Sequence, residues 1–151
     1  MQLRRILTVL AAAGLMTVAA AAPAYAHNPH PVRANLLGAN EVPANTGDPD
    51  GTGVFLMKIN VQTGKLCYVL SVYNVGTVTG VHIHRGSAGE EGPVRVELDE
   101  PMTGSNAVAA CTWVDPDLAV RMADHPRRFY LNVHTTAFPD GAIRGQLRNW
   151  G

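Results

Sequence analysis

Residues Gly80 to Leu98 read "GVHIHRGSAGEEGPVRVEL", with His82 and His84 one residue apart on an apolar run that enters a glycine-rich loop. On a β-strand such a pair points to one face, so two imidazoles lie side by side. A third, His134, stands in "FYLNVHTTAFPDGAIRGQL". There Tyr130, Asn132 and His134 alternate with Leu131 and Val133, as His82 and His84 alternate with Val81 and Ile83. Each segment therefore turns its histidines to one face and its aliphatics to the other. If the two strands lie close, three neutral imidazoles converge, a ligand set suited to copper or zinc. With a water in the fourth position it would be an open zinc site. A shared ion needs nitrogens roughly 3–4 Å apart, because each must reach ~2.0–2.1 Å from the metal. Rings more than about 8 Å apart cannot share one. Two other readings stay open at this point. The imidazoles are hydrogen-bonded struts for the loop, with Glu90, Asp140 or Arg144 as partners, or they form an acid–base pair.

Other chemistry is thin. The chain has no G-x-S-x-G and no H-E-x-x-H. "EVPANTGDPDGTG" carries acids but lacks EF-hand spacing. Glu90 and Glu91 sit in a polar loop with no opposed carboxylate in view. Arg144 shares a strand face with Gln146 and suits bonding to loop carbonyls. His125 precedes Pro126 at a helix end, where an imidazole faces solvent and the helix dipole.

These residues need strands to hold them. Val54–Val61 alternates with Phe55, Met57, Ile59 and Val61 on one face, and Lys65–Tyr73 with Leu66, Tyr68, Leu70 and Val72. The turn between them, Gln62-Thr63-Gly64, makes a β-hairpin. Further strands are expected at Ala34–Asn40, Thr77–Arg85, Val94–Leu98, Phe129–Thr135 and Ala142–Asn149, with a short one near Cys111. Asp115 can cap a single helix over "DPDLAVRMADHP", which Pro116 starts and Pro126 stops. Many short strands joined by Gly/Pro turns mean an all-β fold, a Greek-key sandwich or barrel with one short helix.

The first 26 residues have Arg4 and Arg5, an apolar stretch to Ala22, and Ala24-Tyr25-Ala26, the layout of a secretory signal peptide. Cleavage there leaves about 125 residues, one domain of ordinary size. His27 would become the amino terminus, where its amine and imidazole could chelate Cu(II) as an additional ligand. Residues 27–35 read as a flexible, proline-bearing lead-in, and 36–151 as the folded domain. Twelve basic residues balance twelve acidic ones, so loss of Arg4 and Arg5 gives a net charge of −2. No basic field exists to hold nucleic acid, and no later segment is apolar enough to span a bilayer. An exported chain with two cysteines favours a Cys67–Cys111 disulfide.

"LLGANEVP", "GVHIHRGSAGEEGPVRVEL" and "FYLNVHTTAFPDGAIRGQL" in this order closely resemble the CHRD domain, over about Leu36 to Leu147. That resemblance implies an extracellular β-domain, found as repeats in chordin and as single secreted units in bacteria. Chordin binds bone morphogenetic proteins, but its cysteine-rich modules, absent here, are usually credited with that. A second resemblance is to Cu,Zn superoxide dismutase. "GVHIHRGSAGEEGP" is similar to its H-x-H copper strand and "NVHTTAFPDG" to the strand of its last copper histidine, with a related Greek-key topology. The bridging histidine and the zinc His/Asp set have no counterpart here. The expected function is thus a secreted binding module for an extracellular protein or a metal ion, copper or zinc, at His82, His84 and His134. A superoxide-dismutase-like copper oxidoreductase and a purely structural or protein-binding domain are the alternatives.

Overall fold

A computed structural model describes residues 29–150. The expected signal peptide and His27 lie outside the described residues. Nine strands form one curled antiparallel sheet, a half-barrel. The strands are β1 His30–Leu37, β2 Thr52–Asn60, β3 Lys65–Tyr73, β4 Val78–Arg85, β5 Val94–Glu97, β6 Ala107–Trp113, β7 Phe129–Thr135, β8 Ile143–Gln146 and β9 Arg148–Asn149. Hydrogen-bonded order is β5-β4-β7-β8-β1-β2-β3-β6, with β9 also on β1. The chain crosses between the two wings after β3, after β5 and again after β6, the connectivity expected of a Greek-key-type sheet.

The β2–β3 hairpin forms as its alternation requires. Phe55, Met57, Ile59, Leu66, Tyr68, Leu70 and Val72 are all buried in one core. Asn60 Oδ1 accepts from the amides of Gln62 and Thr63, both at 3.1 Å, and fixes the turn. Gly64 closes it at φ +70°, a left-handed conformation that suits glycine. Helix α1, Pro116–Asp124, starts where expected. The Asp115 carboxylate accepts from Asp117 and Leu118 amides, and Leu118, Ala119, Met122 and Ala123 face the core. His125 follows it and is exposed.

Three expectations change. From His30 the chain is strand, not lead-in. β1 pairs with β2 from His30–Ile59 to Leu37–Thr52, and Val32, Ala34 and Leu36 are fully buried. Period-2 burial outweighs the proline-bearing composition that suggested a tail. β6 is a full strand of seven residues rather than a loop with a short strand near Cys111. Its alanines gave no strong alternation because it is a half-buried sheet edge. The last strand breaks at Leu147 into β8 and β9. Cys67 and Cys111 are directly opposed on β3 and β6, with Cα atoms 4.0 Å apart, and form the disulfide.

Val81, Ile83, Leu131, Val133 and Ile143 turn into the core from β4, β7 and β8. Their neighbours on the same strands therefore face the other way, and this second face carries the histidines.

Candidate metal centre

Strand register sets the site. β4 and β7 pair His82 with Asn132, His84 with Tyr130 and Gly80 with His134. β8 adds Arg144 opposite Asn132 and Gln146 opposite Tyr130, and β5 adds Glu97 opposite His82. The His82 and His134 rings are 4.9 Å apart, His82 and His84 5.8 Å, and His84 and His134 6.4 Å, between centroids. One nitrogen from each ring lies within 4.8 Å of the others. This exceeds the 3–4 Å expected around an ion, but it is well inside the limit for sharing one. A shared ion would have to draw the nitrogens in to that spacing. Among the described residues this is the only such group of three histidine, cysteine or acidic side chains.

Each ring uses one nitrogen on an oxygen. His84 Nδ1 faces the Gly92 carbonyl at 2.9 Å, and His134 Nδ1 the Pro139 carbonyl at 2.9 Å. A carbonyl can only accept, so both Nδ1 atoms carry the proton and donate. His82 Nε2 meets the Glu97 carboxylate at 2.8 Å. These are the outer contacts that orient metal-binding histidines. The partners are Gly92, Pro139 and Glu97, not the Glu90, Asp140 and Arg144 side chains that the sequence suggested. Burial holds the His84 and His134 imidazoles below the ordinary histidine value, although the carbonyl each one bonds works in the opposite direction. Both are therefore neutral at pH 7, and each keeps a lone pair on Nε2.

Those lone pairs have no partner. His82 Nδ1, His84 Nε2 and His134 Nε2 are buried without a hydrogen bond, and so are Asn132 Oδ1 and Glu41 Oε1. Asn132 adjoins the histidines on β7 and its amide donates to Glu41 Oε2 at 3.4 Å. Glu41 is 4% exposed. Burial pushes its carboxyl up to about 7, against the lowering influence of Arg144 and Asn132. Five buried polar atoms without a partner in one place is an arrangement that buried polar groups normally avoid.

The loop above the rings is anchored as expected of Arg144. Its guanidinium donates to the carbonyls of Ser87 (3.0 Å) and Glu90 (2.6 Å) and lies 3.4 Å over the Tyr130 ring. Tyr130 in turn stacks on His84, centroids 4.8 Å apart and planes within 8°. Gln146 holds the Gly86 carbonyl. Gly92 lacks room for a side chain, since a Cβ would sit 1.7 Å from the Arg85 carbonyl oxygen. The loop therefore presents the Gly92 carbonyl to His84 from a fixed position.

Glu41, Glu97, Asn132 and Tyr130 join the site beyond the residues expected from the sequence. Asn132 and Tyr130 share the His134 period, and that alternation was the available signal. Glu41 lies in an irregular loop where periodicity says nothing. His30 is exposed at the start of β1 and does not belong to the group.

The fold and site define an all-β domain with a histidine cluster on the loop-covered face of its sheet. A profile of the CHRD domain matches residues 32–147, and the chain belongs to the CHRD domain family. The match starts within β1, which agrees with the buried strand there. Comparisons with curated proteins and with solved structures give no match. Membership makes this an extracellular-type domain. Among the described residues no helix is long and apolar enough to cross a membrane.

Proposed function

We propose that this CHRD protein is a secreted binding module that holds one copper or zinc ion through His82, His84 and His134. The observation that carries the reading is the set of buried, unpartnered acceptors. Three imidazole lone pairs, oriented by two carbonyls and a carboxylate, stand beside two further orphaned oxygens. A cation satisfies such a set, whereas hydrogen-bonded struts would use both nitrogens or leave the second in water. Nitrogen ligands favour copper or zinc over magnesium or calcium. The leader-like first 26 residues, the Cys67–Cys111 bridge and the family support export. An extracellular protein partner is compatible with the same module.

The test is metal uptake by the purified mature protein, measured by native mass spectrometry and elemental analysis after dialysis against zinc or copper. We expect one ion per chain, with at least ~tenfold weaker binding in His84→Ala and an unchanged circular dichroism spectrum. A chain that retains no metal, or a variant that binds as well as the parent, leaves a structural or protein-binding domain as the reading. The oxidoreductase alternative gains no support. Among the described residues there is no second group of ligands for a partner zinc.

A further inference from the structure

A cavity of about 370 Å³ borders the histidines, lined among others by Glu41, His84, Tyr130, Asn132, His134 and Arg144. It touches two of the three rings, so a fourth ligand on an ion held by the triad enters from this side. The exposed carboxylates of Glu91 and Asp140 also border it. Three carboxylates thus face one guanidinium. That guanidinium is 3% exposed and already engaged by two loop carbonyls and the Tyr130 ring. Its charge also acts on Glu41 and on His84. Glu41 Oε1 and Asn132 Oδ1 have no hydrogen-bond partner, and once Glu41 is ionised both can only accept.

We propose that this cavity selects the metal's exogenous ligand, admitting a small neutral molecule with N–H or O–H donors and opposing anions, with Glu41 as the residue that sets the preference. The inference rests on the metal reading above and adds the ligand class to it. The ion itself draws an anion in, and the three carboxylates oppose that attraction in a partly dry space, where charge interactions are stronger than in water. A neutral amine, alcohol or water gives its protons to acceptors that otherwise lack them. A bound dication also favours the ionised form of Glu41, which strengthens the discrimination. Sequence spacing could not reveal this, because Glu41 reaches the site from the loop after β1.

The experiment uses the copper-loaded mature protein and two probes for the open position, azide as the anion and imidazole as the neutral ligand. Each is titrated by its visible absorption and electron paramagnetic resonance changes. The readout is the ratio of azide to imidazole affinity. Glu41→Gln keeps the shape and removes the charge, and should raise that ratio at least ~tenfold. Should Glu41→Gln fail to fold, the exposed double variant Glu91→Gln/Asp140→Asn provides the same test, with a smaller rise of ~threefold because rim charges are screened. Copper-loaded variants with the parent's ratio overturn the proposal and leave the metal site standing. A parent chain that takes up no copper overturns the metal reading and this inference with it.

Discussion

Replacing Glu41 by Gln should make the metal-free protein more stable, and by an amount that depends on pH. The side chain is 4% exposed and its carboxyl is pushed up to about 7 from an ordinary 4.5, chiefly by burial. The folded state therefore holds a proton that the unfolded state has already lost between about pH 4.5 and 7. Stability falls with pH wherever the folded state binds more protons. The Glu41 contribution is thus intact below about pH 4.5 and is lost as pH rises through about 7. At 1.36 kcal/mol for each pH unit the whole loss is about 3 kcal/mol, of which about 2 kcal/mol falls between pH 5 and pH 8. Gln cannot ionise, so Glu41→Gln should escape the loss. Urea unfolding followed by tryptophan fluorescence, on chelator-treated protein at pH 5 and pH 8, measures both proteins. The variant should gain about 2 kcal/mol relative to the parent at pH 8 over its value at pH 5. An equal difference at the two pH values would refute the idea that Glu41 titrates inside the fold.

Three other perturbations follow from the same geometry. Burial holds His84 and His134 below the ordinary 6.5, so in Glu41→Gln, which lacks the carboxyl that titrates near 7, zinc affinity should change less between pH 8 and 7 than between pH 7 and 5, as calorimetry across that range would show. A steep fall between pH 8 and 7 in that variant would contradict their burial as neutral rings. Gly92→Ala forces the loop off the Arg85 carbonyl and moves the acceptor of the His84 proton, so zinc affinity should drop ~10–100-fold in equilibrium competition with a chelating dye; parent-like affinity would mean that the Gly92 carbonyl does not orient the ring. Cys67→Ser/Cys111→Ser removes a link between residues 44 apart and should cost about 2–4 kcal/mol in the same urea assay, while an unchanged midpoint would deny the bridge a role in stability.

Much of this arrangement could be read from residue order, for reasons that differ by element. The β2–β3 hairpin has large apolar residues at every second position and a turn that Asn60 caps, so period and turn chemistry agree. The His82, His84 and His134 faces were legible because strand geometry fixes which side chains share a side. Their proximity was not, since it depends on β4 pairing with β7 across some fifty residues of chain. In β1, Pro29 and Pro31 obscure the Val32, Ala34 and Leu36 alternation. β6 gives a weak signal because alanines at a sheet edge bury little on either side. The hydrogen-bond partners of the rings were also misassigned. Backbone carbonyls of Gly92 and Pro139 carry no side-chain signature, and only the folded loops bring them to the imidazoles. Glu41 was invisible for the same reason, being a loop carboxylate buried by contacts far away in sequence.

The central claim is that three imidazoles bind one ion. X-ray absorption at the zinc edge, on mature protein loaded with one equivalent of zinc, tests it most directly. The account predicts three histidine nitrogens at ~2.0–2.1 Å with the outer-ring scattering of imidazole, and one further light atom completing four-coordination. A shell of about six oxygens without imidazole scattering would mean adventitious surface binding, and would contradict the site at His82, His84 and His134.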